Sequence, residues 1–168
     1  AVDVSLVKTE KSTAAAVSTV VVGDNGKQFK VSDGTTPTAD ITLATGDTVD
    51  DIVTKINAAT TTAGNGIVAK NDNGAIKLTS TAGAAITVSN GTTTGGATVL
   101  GFGSDVTVAK TADELVSEVN SNTALDDKVT ASNDNGKLRI QNLSTQDLTV
   151  DGVSTSGATD GASSGATI

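Results

Sequence analysis

The chain has 168 residues, a net charge of −8 and an aromatic content of only 1%, so its core must consist of Val, Ile, Leu and Ala in thin layers. It contains no Cys and no His, which excludes disulfide scaffolds, zinc–cysteine sites and the commonest general base. The acidic balance argues against nucleic acid and anionic membranes as partners, and no apolar run approaches the roughly 20 residues of a membrane span.

The first predicted element is a hairpin over residues 18–32, STVVVGDNGKQFKVS. Apolar residues on both sides of Asn25-Gly26 favour two antiparallel strands joined by a tight turn, because Asn and Gly adopt positive φ at low cost. We expect this hairpin to complete the sheet of a first unit.

A helix is predicted next, over residues 48–59, TVDDIVTKINAA. Its apolar residues have the spacing of one helical face: Val49, Ile52, Val53 and Ile56. Thr48 is the expected N-cap, and Asp51 forms with it a weaker relative of the capping box. Near its end the helix runs into Asn57, a residue type that tolerates the left-handed conformation found at helix ends.

A second hairpin is predicted over residues 66–80, GIVAK-NDNG-AIKLTS, because Asn-Gly between alternating apolar residues is the strongest short-range hairpin signal. Four of its residues should point inward: Ile67, Ala69, Ile76 and Leu78. A third strand is expected over residues 85–90, and the Gly/Thr-rich residues 90–98 are interpreted as a linker or loop.

The same elements then recur, which indicates an internal repeat. They are, in order, a strand at 105–110 that opens the copy, a helix at 111–120, a hairpin at 128–142 around a second NDNG, and a strand at 147–152. Thr111 and Glu114 form a full capping box, and this helix runs into Asn120. The inward residues of the second hairpin should be Val129, Ala131, Leu138 and Ile140.

These elements predict an α+β fold that is mostly β, with two similar small units, each a short helix packed on an antiparallel sheet with an Asn-Gly hairpin. The predicted domains are residues 1–98 and residues 99–153, followed by a Gly/Ser-rich tail at 154–168. The chain has no heptad repeat and few large apolar residues, so we expect the isolated chain to be a monomer.

Two patterns could indicate a metal-binding or catalytic site, but both are better explained by roles in turns, loops and helix ends. An EF-hand loop containing NDNG would need ligands where Ala69 and Ser80 stand. Of the paired carboxylates, Asp50-Asp51 suits the first turn of a helix and Asp126-Asp127 lies in a polar loop without a partner base. We therefore predict no catalytic, cofactor-binding or metal-binding residue, no cofactor and no enzymatic activity.

The segment GDTVDDIVTKINAATTTAGNGIVAKNDNGAIKLTS resembles the flagellin IN motif, named for an Ile-Asn pair at the end of its short helix, here Ile56-Asn57. The later segment KTADELVSEVNSNTALDDKVTASNDNGKLRIQN is similar but has Val119-Asn120 in place of that pair. LGFG at 100–103 resembles the turn that often closes such a motif.

The resemblance implies a structural role in the variable outer region of a bacterial flagellin, in domains of the D2/D3 type, exposed on the extracellular filament. It implies that other flagellin subunits are partners, bound through long helical termini that this chain does not contain, and that antibodies or host surfaces could bind the exposed region. Since the chain begins at Ala1 and has no Met, we interpret it as an internal fragment.

Two alternatives remain open at this stage. The IN motif also occurs in hook-associated proteins and in the filament cap protein, so the chain could be an outer domain of either. A Thr-rich β domain could also be a carbohydrate- or host-binding module, although sugar sites generally need an aromatic platform and this chain has only Phe29 and Phe102.

Overall fold

The computed structural model describes residues 2–150 and 166–167. Its α-helices are α1 (Val49–Ala63), α2 (Gly96–Leu100) and α3 (Ala112–Ser121). Its strands are β1 (Val7–Ser12), β2 (Gln28–Ser32), β3 (Ile41–Thr42), β4 (Ile67–Asp72), β5 (Ala75–Ser80), β6 (Thr87–Asn90), β7 (Val106–Ala109), β8 (Val129–Asp134), β9 (Lys137–Asn142), β10 (Thr149–Val150) and β11 (Ala166–Thr167). Strands outnumber helices and the ladders are antiparallel, which confirms the predicted α+β, mostly β fold.

By their internal contacts, the described residues divide into two compact units. One contains residues 8–108, and the other contains residues 2–7 with 109–150 and 166–167. The predicted boundary between residues 98 and 99 stays a prediction, as do the limits of the tail at 154–168, most of which lies outside the described residues. None of the described helices is long and apolar enough to cross a membrane.

The 8–108 unit places α1 against two sheets. One sheet has the strand order β4-β5-β1-β7 and the other has the order β3-β2-β6. Helix α1 contacts β4 and β5 of the first sheet and β2 and β3 of the second, so its apolar residues are enclosed on both sides. The largest fully buried side chains are Phe29, Val31, Leu43, Ile52, Ile56, Ile76, Leu78 and Ile86.

The predicted hairpin over residues 18–32 is wrong. Asn25 has φ −61° and ψ 132° and Gly26 has φ 80°, which is the geometry of a type II turn. A two-residue hairpin of the type I′ kind needs positive φ at both positions, so this turn does not fold the chain back into a second strand. The only strand here is β2, which pairs with β3 and β6 in the second sheet and does not extend the sheet of the NDNG hairpin.

Val20, which was expected in that hairpin, is buried by a different contact. Its N–H donates to the carbonyl oxygen of Asp47, and its own carbonyl accepts from the N–H of Gly46. These bonds attach the extended segment to the loop that precedes α1. Sequence pattern alone cannot show this pairing, because the two segments are far apart in the chain.

Residues 91–95 form a loop, as one of the two interpretations of 90–98 had it, but the segment is not a linker, because it packs tightly and leads into α2 at Gly96. A Cβ on Gly96 would lie 2.5 Å from the backbone carbonyl carbon of Gln28, so only glycine permits α2 to approach β2 this closely. Leu100, at the end of α2, is buried in the core. The glycines therefore serve close packing here.

Strand β7 was expected to open the second unit, and this expectation was also wrong. It lies beside β1 at the edge of the first four-stranded sheet. The regular elements wholly within the second unit are α3, the β8–β9 hairpin on which it packs, and the short pair β10–β11. Residues 151 and 152 of the predicted strand at 147–152 lie outside the described residues.

The inward positions of the two hairpins differ in burial. Ile67, Ala69, Ile76 and Leu78 are all buried, whereas only Ala131 is buried among its counterparts Val129, Leu138 and Ile140, which are half-buried. In the first unit a second sheet covers the hairpin core. Among the described residues of the second unit, no sheet comparable to β3-β2-β6 does so.

Candidate functional site: the helix–hairpin joint

Each helix that precedes an NDNG hairpin begins with the same capping arrangement. In α1 the hydroxyl of Thr48 accepts from the N–H of Asp51 at 3.3 Å, and the Asp51 carboxylate accepts from the N–H of Thr48 at 2.9 Å. In α3, Thr111 and Glu114 make the same two bonds at 3.2 and 2.9 Å. The shorter Asp therefore completes a full capping box, and its description as a weaker relative was wrong.

Helix α1 passes Asn57 and extends beyond the predicted end at residue 59. Helix α1 continues to Ala63 and is capped by Gly64 at φ 69°, while α3 passes Asn120 and ends at Ser121. Asn57 instead points its carboxamide at strand β4. A side-chain amide has the same donor and acceptor as a peptide group, so it can bind a strand as a neighbouring strand would.

The carboxamide of Asn57 binds both backbone polar groups of Ala69. Its Nδ2 donates to the carbonyl oxygen at 2.9 Å, and its Oδ1 accepts from the N–H at 2.8 Å. Asn120 binds Ala131 in the same way, at 2.9 and 2.7 Å. In both copies the helix thereby covers backbone groups on the outer edge of the first hairpin strand, an edge that would otherwise be open to pairing.

The first Asn of each NDNG makes a second connection to the helix. Asn71 donates from Nδ2 to Asp50 at 2.7 Å and accepts at Oδ1 from the N–H of Gly74 at 2.8 Å. Asn133 bonds to Asp113 and Gly136 equally, both at 2.7 Å. Sequence reasoning missed this role, although an Asp in the first turn of both helices and the shared NDNG were its visible signal.

The hairpin turns themselves are alike. Asn73 and Gly74 have φ of 54° and 88°, and Asn135 and Gly136 have φ of 55° and 88°. Positive φ at both central residues is the type I′ pattern that matches the twist of paired strands. We call the assembly of capped helix, bridging Asn and NDNG turn the helix–hairpin joint.

An ion pair spans the start of each helix, with the charges exchanged between the copies. Asp47 accepts from Lys55 at 2.5 Å in the first unit, and Lys110 donates to Glu118 in the second. Both pairs join residues eight positions apart, from just before the N-cap to the middle of the helix. In both, the residue before the N-cap is the more buried partner.

Comparison with known families decides what the first joint resembles. Residues 28–82 match the flagellin hook IN motif. The match runs from β2 through β5 and includes the whole of the first helix–hairpin joint, which relates this part of the chain to flagellins. Searches of curated proteins and of solved structures found no similar protein.

The two residues of the Ile-Asn pair make different contacts in this chain. Ile56 is fully buried on the core-facing side of α1, while the adjacent Asn57 donates a hydrogen bond to the backbone of β4. The second joint, with Val119-Asn120, lies outside the matched residues, so a second IN motif stays a prediction. Its equivalent contacts, Val119 buried and Asn120 bound to Ala131, are consistent with that prediction.

The exchanged ion pairs allow a direct test of the joint. Asp47→Lys should lower the free energy of unfolding by about 1–2 kcal/mol, because it removes a partly buried pair and places two ammonium groups together. The double variant Asp47→Lys/Lys55→Glu reproduces the polarity of the second unit and should recover the ion-pair part of this loss in urea denaturation, but not the bonds of Asp47 to the Ala44 N–H and of Lys55 to the Thr42 carbonyl oxygen. A double variant no more stable than Asp47→Lys would show that the two joints do not tolerate the same exchange.

The carboxylates with perturbed pKa values are held as charged acceptors. The hydroxyl and N–H of Thr48 lower the pKa of Asp51, and the hydroxyl of Thr92 lowers that of Asp40. The N–H groups of Thr36 and Thr35 lower the pKa of Asp33. Burial raises the pKa of Glu10, but its ion pairs with Lys77 and Lys8 outweigh this and lower the pKa overall. A general acid or base needs a pKa near the working pH, so these shifts are opposite to what catalysis would need.

Other candidate sites also have structural explanations. Asp50 and Asp51 are occupied by the joint and the cap, and Asp127 sits in a turn at φ 58°. Phe29 is fully buried and Phe102 packs half-buried against the core, so neither ring forms an open platform for a sugar. Within residues 2–150 and 166–167, no group of three or more acidic side chains is placed to hold a metal ion.

Proposed function

We propose that this chain is the surface-exposed, variable outer region of a bacterial flagellin, in domains of the D2/D3 type, and that it acts as a structural and antigenic part of the extracellular filament. It has no catalytic, cofactor-binding or metal-binding role of its own. Contacts between subunits are made by long helices elsewhere in the parent protein, and the isolated chain is monomeric.

The observation that carries this proposal is how the apolar face of α1 is used. Ile52 and Ile56 are fully buried, Val49 and Val53 pack on the same core, and all are covered by strands of their own unit. A helix that built the filament core would need apolar surface against several neighbours. This helix has little apolar surface left for that purpose, which supports an outer position.

The exterior supports the same role. The outward face of α1 carries Thr54, Ala58, Thr61 and Thr62, and the loops expose mainly Thr, Ser, Asp and Gly. Such a surface stays solvated and tolerates sequence change, as an exterior seen by antibodies or host surfaces must.

One alternative has a specific observation in its favour. The matching family model describes the motif as a hook motif, so a hook-associated or filament cap protein could carry the same outer domain. Immunogold labelling of whole cells with antiserum against this chain separates these cases. Labelling along the whole filament supports flagellin, and labelling only at the hook junction or the tip supports the alternative.

A deletion in the parent gene tests the proposed role. With residues 1–168 removed and the ends joined, subunits should still be secreted and should polymerise, while antiserum against the chain should no longer bind the filaments. The control is the amount of secreted, folded subunit, measured by circular dichroism before polymerisation. A folded and secreted subunit that cannot polymerise would mean that this region contributes an essential subunit contact.

A further inference from the structure

The two NDNG turns are identical in sequence and in backbone conformation, yet their surroundings differ, and the difference bears on a spontaneous chemical modification. In an Asn-Gly dipeptide the backbone nitrogen of Gly can attack the side-chain carbonyl of Asn, because glycine has no side chain to hinder the approach. We propose that Asn135 is a site of spontaneous deamidation and that Asn73 is protected from the same reaction by its neighbours.

The reaction is intramolecular and needs only hydroxide and water. Hydroxide removes the proton from the Gly136 nitrogen, which then forms a bond to Cγ of Asn135 as the Cγ–Nδ2 bond breaks. The departing nitrogen takes a proton from water and leaves as ammonia, which restores the hydroxide. Water opens the resulting five-membered imide at either carbonyl. The products are Asp or isoaspartate at position 135, and each adds one negative charge to a chain whose net charge is already −8.

Both turns must open before this reaction can begin. The N–H of Gly74 donates to Asn71 at 2.8 Å, and the N–H of Gly136 donates to Asn133 at 2.7 Å, so each attacking nitrogen is occupied in the folded turn. The side chains of Asn73 and Asn135 are both exposed. The rates therefore depend on how often each turn opens locally.

The first turn is held closed by contacts that the second lacks. Val17 donates its N–H to the carbonyl oxygen of Gly74 at 2.8 Å, and a Cβ on Gly74 would lie only 3.1 Å from the Ala16 side chain. At Gly136 no atom lies within 4 Å of the equivalent position. We call the contact of Ala16 and Val17 with Gly74 the turn latch.

The strands that follow the two turns also differ, and the strand after the first turn is the better paired and the more buried. Strand β5 is paired on its outer side with β1, and its Ile76 and Leu78 are fully buried. Strand β9 pairs only with β8 in the described part of the chain, and its Leu138 and Ile140 are half-buried. Few buried contacts and a solvent-exposed ladder make local opening easier, so the second turn should open more often.

The remaining Asn-Gly pairs are held by further bonds. Asn65 is buried and donates to the carbonyl oxygens of Val31 and Thr36. The carboxamide oxygen of Asn25 accepts from Thr45, and that of Asn90 accepts from the N–H groups of Gly95 and Ala97. These bonds restrain the carboxamides, and each must break before the glycine nitrogen can attack, which leaves Asn135 as the favoured site.

Peptide mass spectrometry tests the proposal on the folded chain. After incubation in mildly alkaline buffer, tryptic cleavage separates the two sites into residues 71–77 and 129–137, and fragmentation assigns the product to a single Asn. We expect deamidation at Asn135 to be faster than at Asn73 by on the order of tenfold. In concentrated urea the two rates should become similar, which controls for the flanking sequence. Equal rates in the folded chain, or a faster Asn73, would overturn the proposal.

A variant of the turn latch gives a second readout. Val17→Pro removes the N–H that binds Gly74 and should raise the rate at Asn73 several-fold while leaving Asn135 unchanged. Ser18→Pro is the matched control, since the Ser18 N–H makes no hydrogen bond in the described residues. If Val17→Pro raises both rates together, circular dichroism will show whether it has unfolded, and the ratio in the unsubstituted chain still decides the matter.

Discussion

Ile52→Ala is expected to lower the free energy of unfolding of the 8–108 unit by about 3–4 kcal/mol, within the usual range for a fully buried Ile or Leu replaced by Ala. Ile52 is 0% exposed and lies between two sheets, so the cavity left behind is enclosed and cannot easily collapse. Leu115 holds the equivalent place in α3, after the same capping box, but it is half-buried. Leu115→Ala should therefore cost only about 1–2 kcal/mol.

The comparison must be read separately in each unit, because two units need not unfold together. Hydrogen exchange of the amides in α1 and α3 reports each unit in the same sample. Ile52→Ala should reduce protection in α1 while α3 keeps its own. If the two substitutions lower the free energy of unfolding by the same amount, the core of the second hairpin must be as fully buried in solution as that of the first.

The features that could be predicted from sequence are those that depend on residues close together in the chain. The helix at Thr48 and the hairpin at Asn73-Gly74 rest on local preferences, namely a hydroxyl that caps and residues that accept positive φ. The same reasoning failed at Asn25-Gly26. That dipeptide also permits a type II turn, and the buried Val20 pairs with a distant loop, so tertiary contacts chose between two locally acceptable turns.

The parts of the joint that sequence reasoning missed all depend on residues brought together by folding. Asn57 was interpreted by its tolerance at helix ends, but its carboxamide binds a strand twelve positions away. The ion pair of Asp47 and Lys55 could not be predicted from the repeat. Its counterpart, Lys110 with Glu118, has the acid and the base exchanged, so the two sequences do not match at these positions. Gly96 was interpreted as part of a Gly/Thr-rich linker or loop, whereas the structure shows that a glycine is needed there because the backbone of Gln28 lies so close.

Asn57→Ala should destabilise the first joint by about 2–3 kcal/mol, although alanine is the better helix former. The loss comes from strand β4. Ala69 is buried, and without the carboxamide its N–H and carbonyl oxygen each lose their partner. A buried backbone group left without a partner costs about 1–3 kcal/mol, which exceeds the gain of about 0.5 kcal/mol in helix propensity.

The chain offers a control for each part of this expectation. Thr61→Ala, at an exposed position of the same helix, measures the propensity gain alone and should be neutral or slightly stabilising. Asn57→Asp keeps an acceptor for the Ala69 N–H but places a carboxylate against its carbonyl oxygen, so it should be about as harmful as Asn57→Ala at neutral pH. Asn120→Ala repeats the experiment at Ala131, where the same pair of bonds is lost. If Asn57→Ala proves as stable as Thr61→Ala in urea denaturation, the bridge contributes nothing measurable, and the Asn of the IN motif needs another explanation.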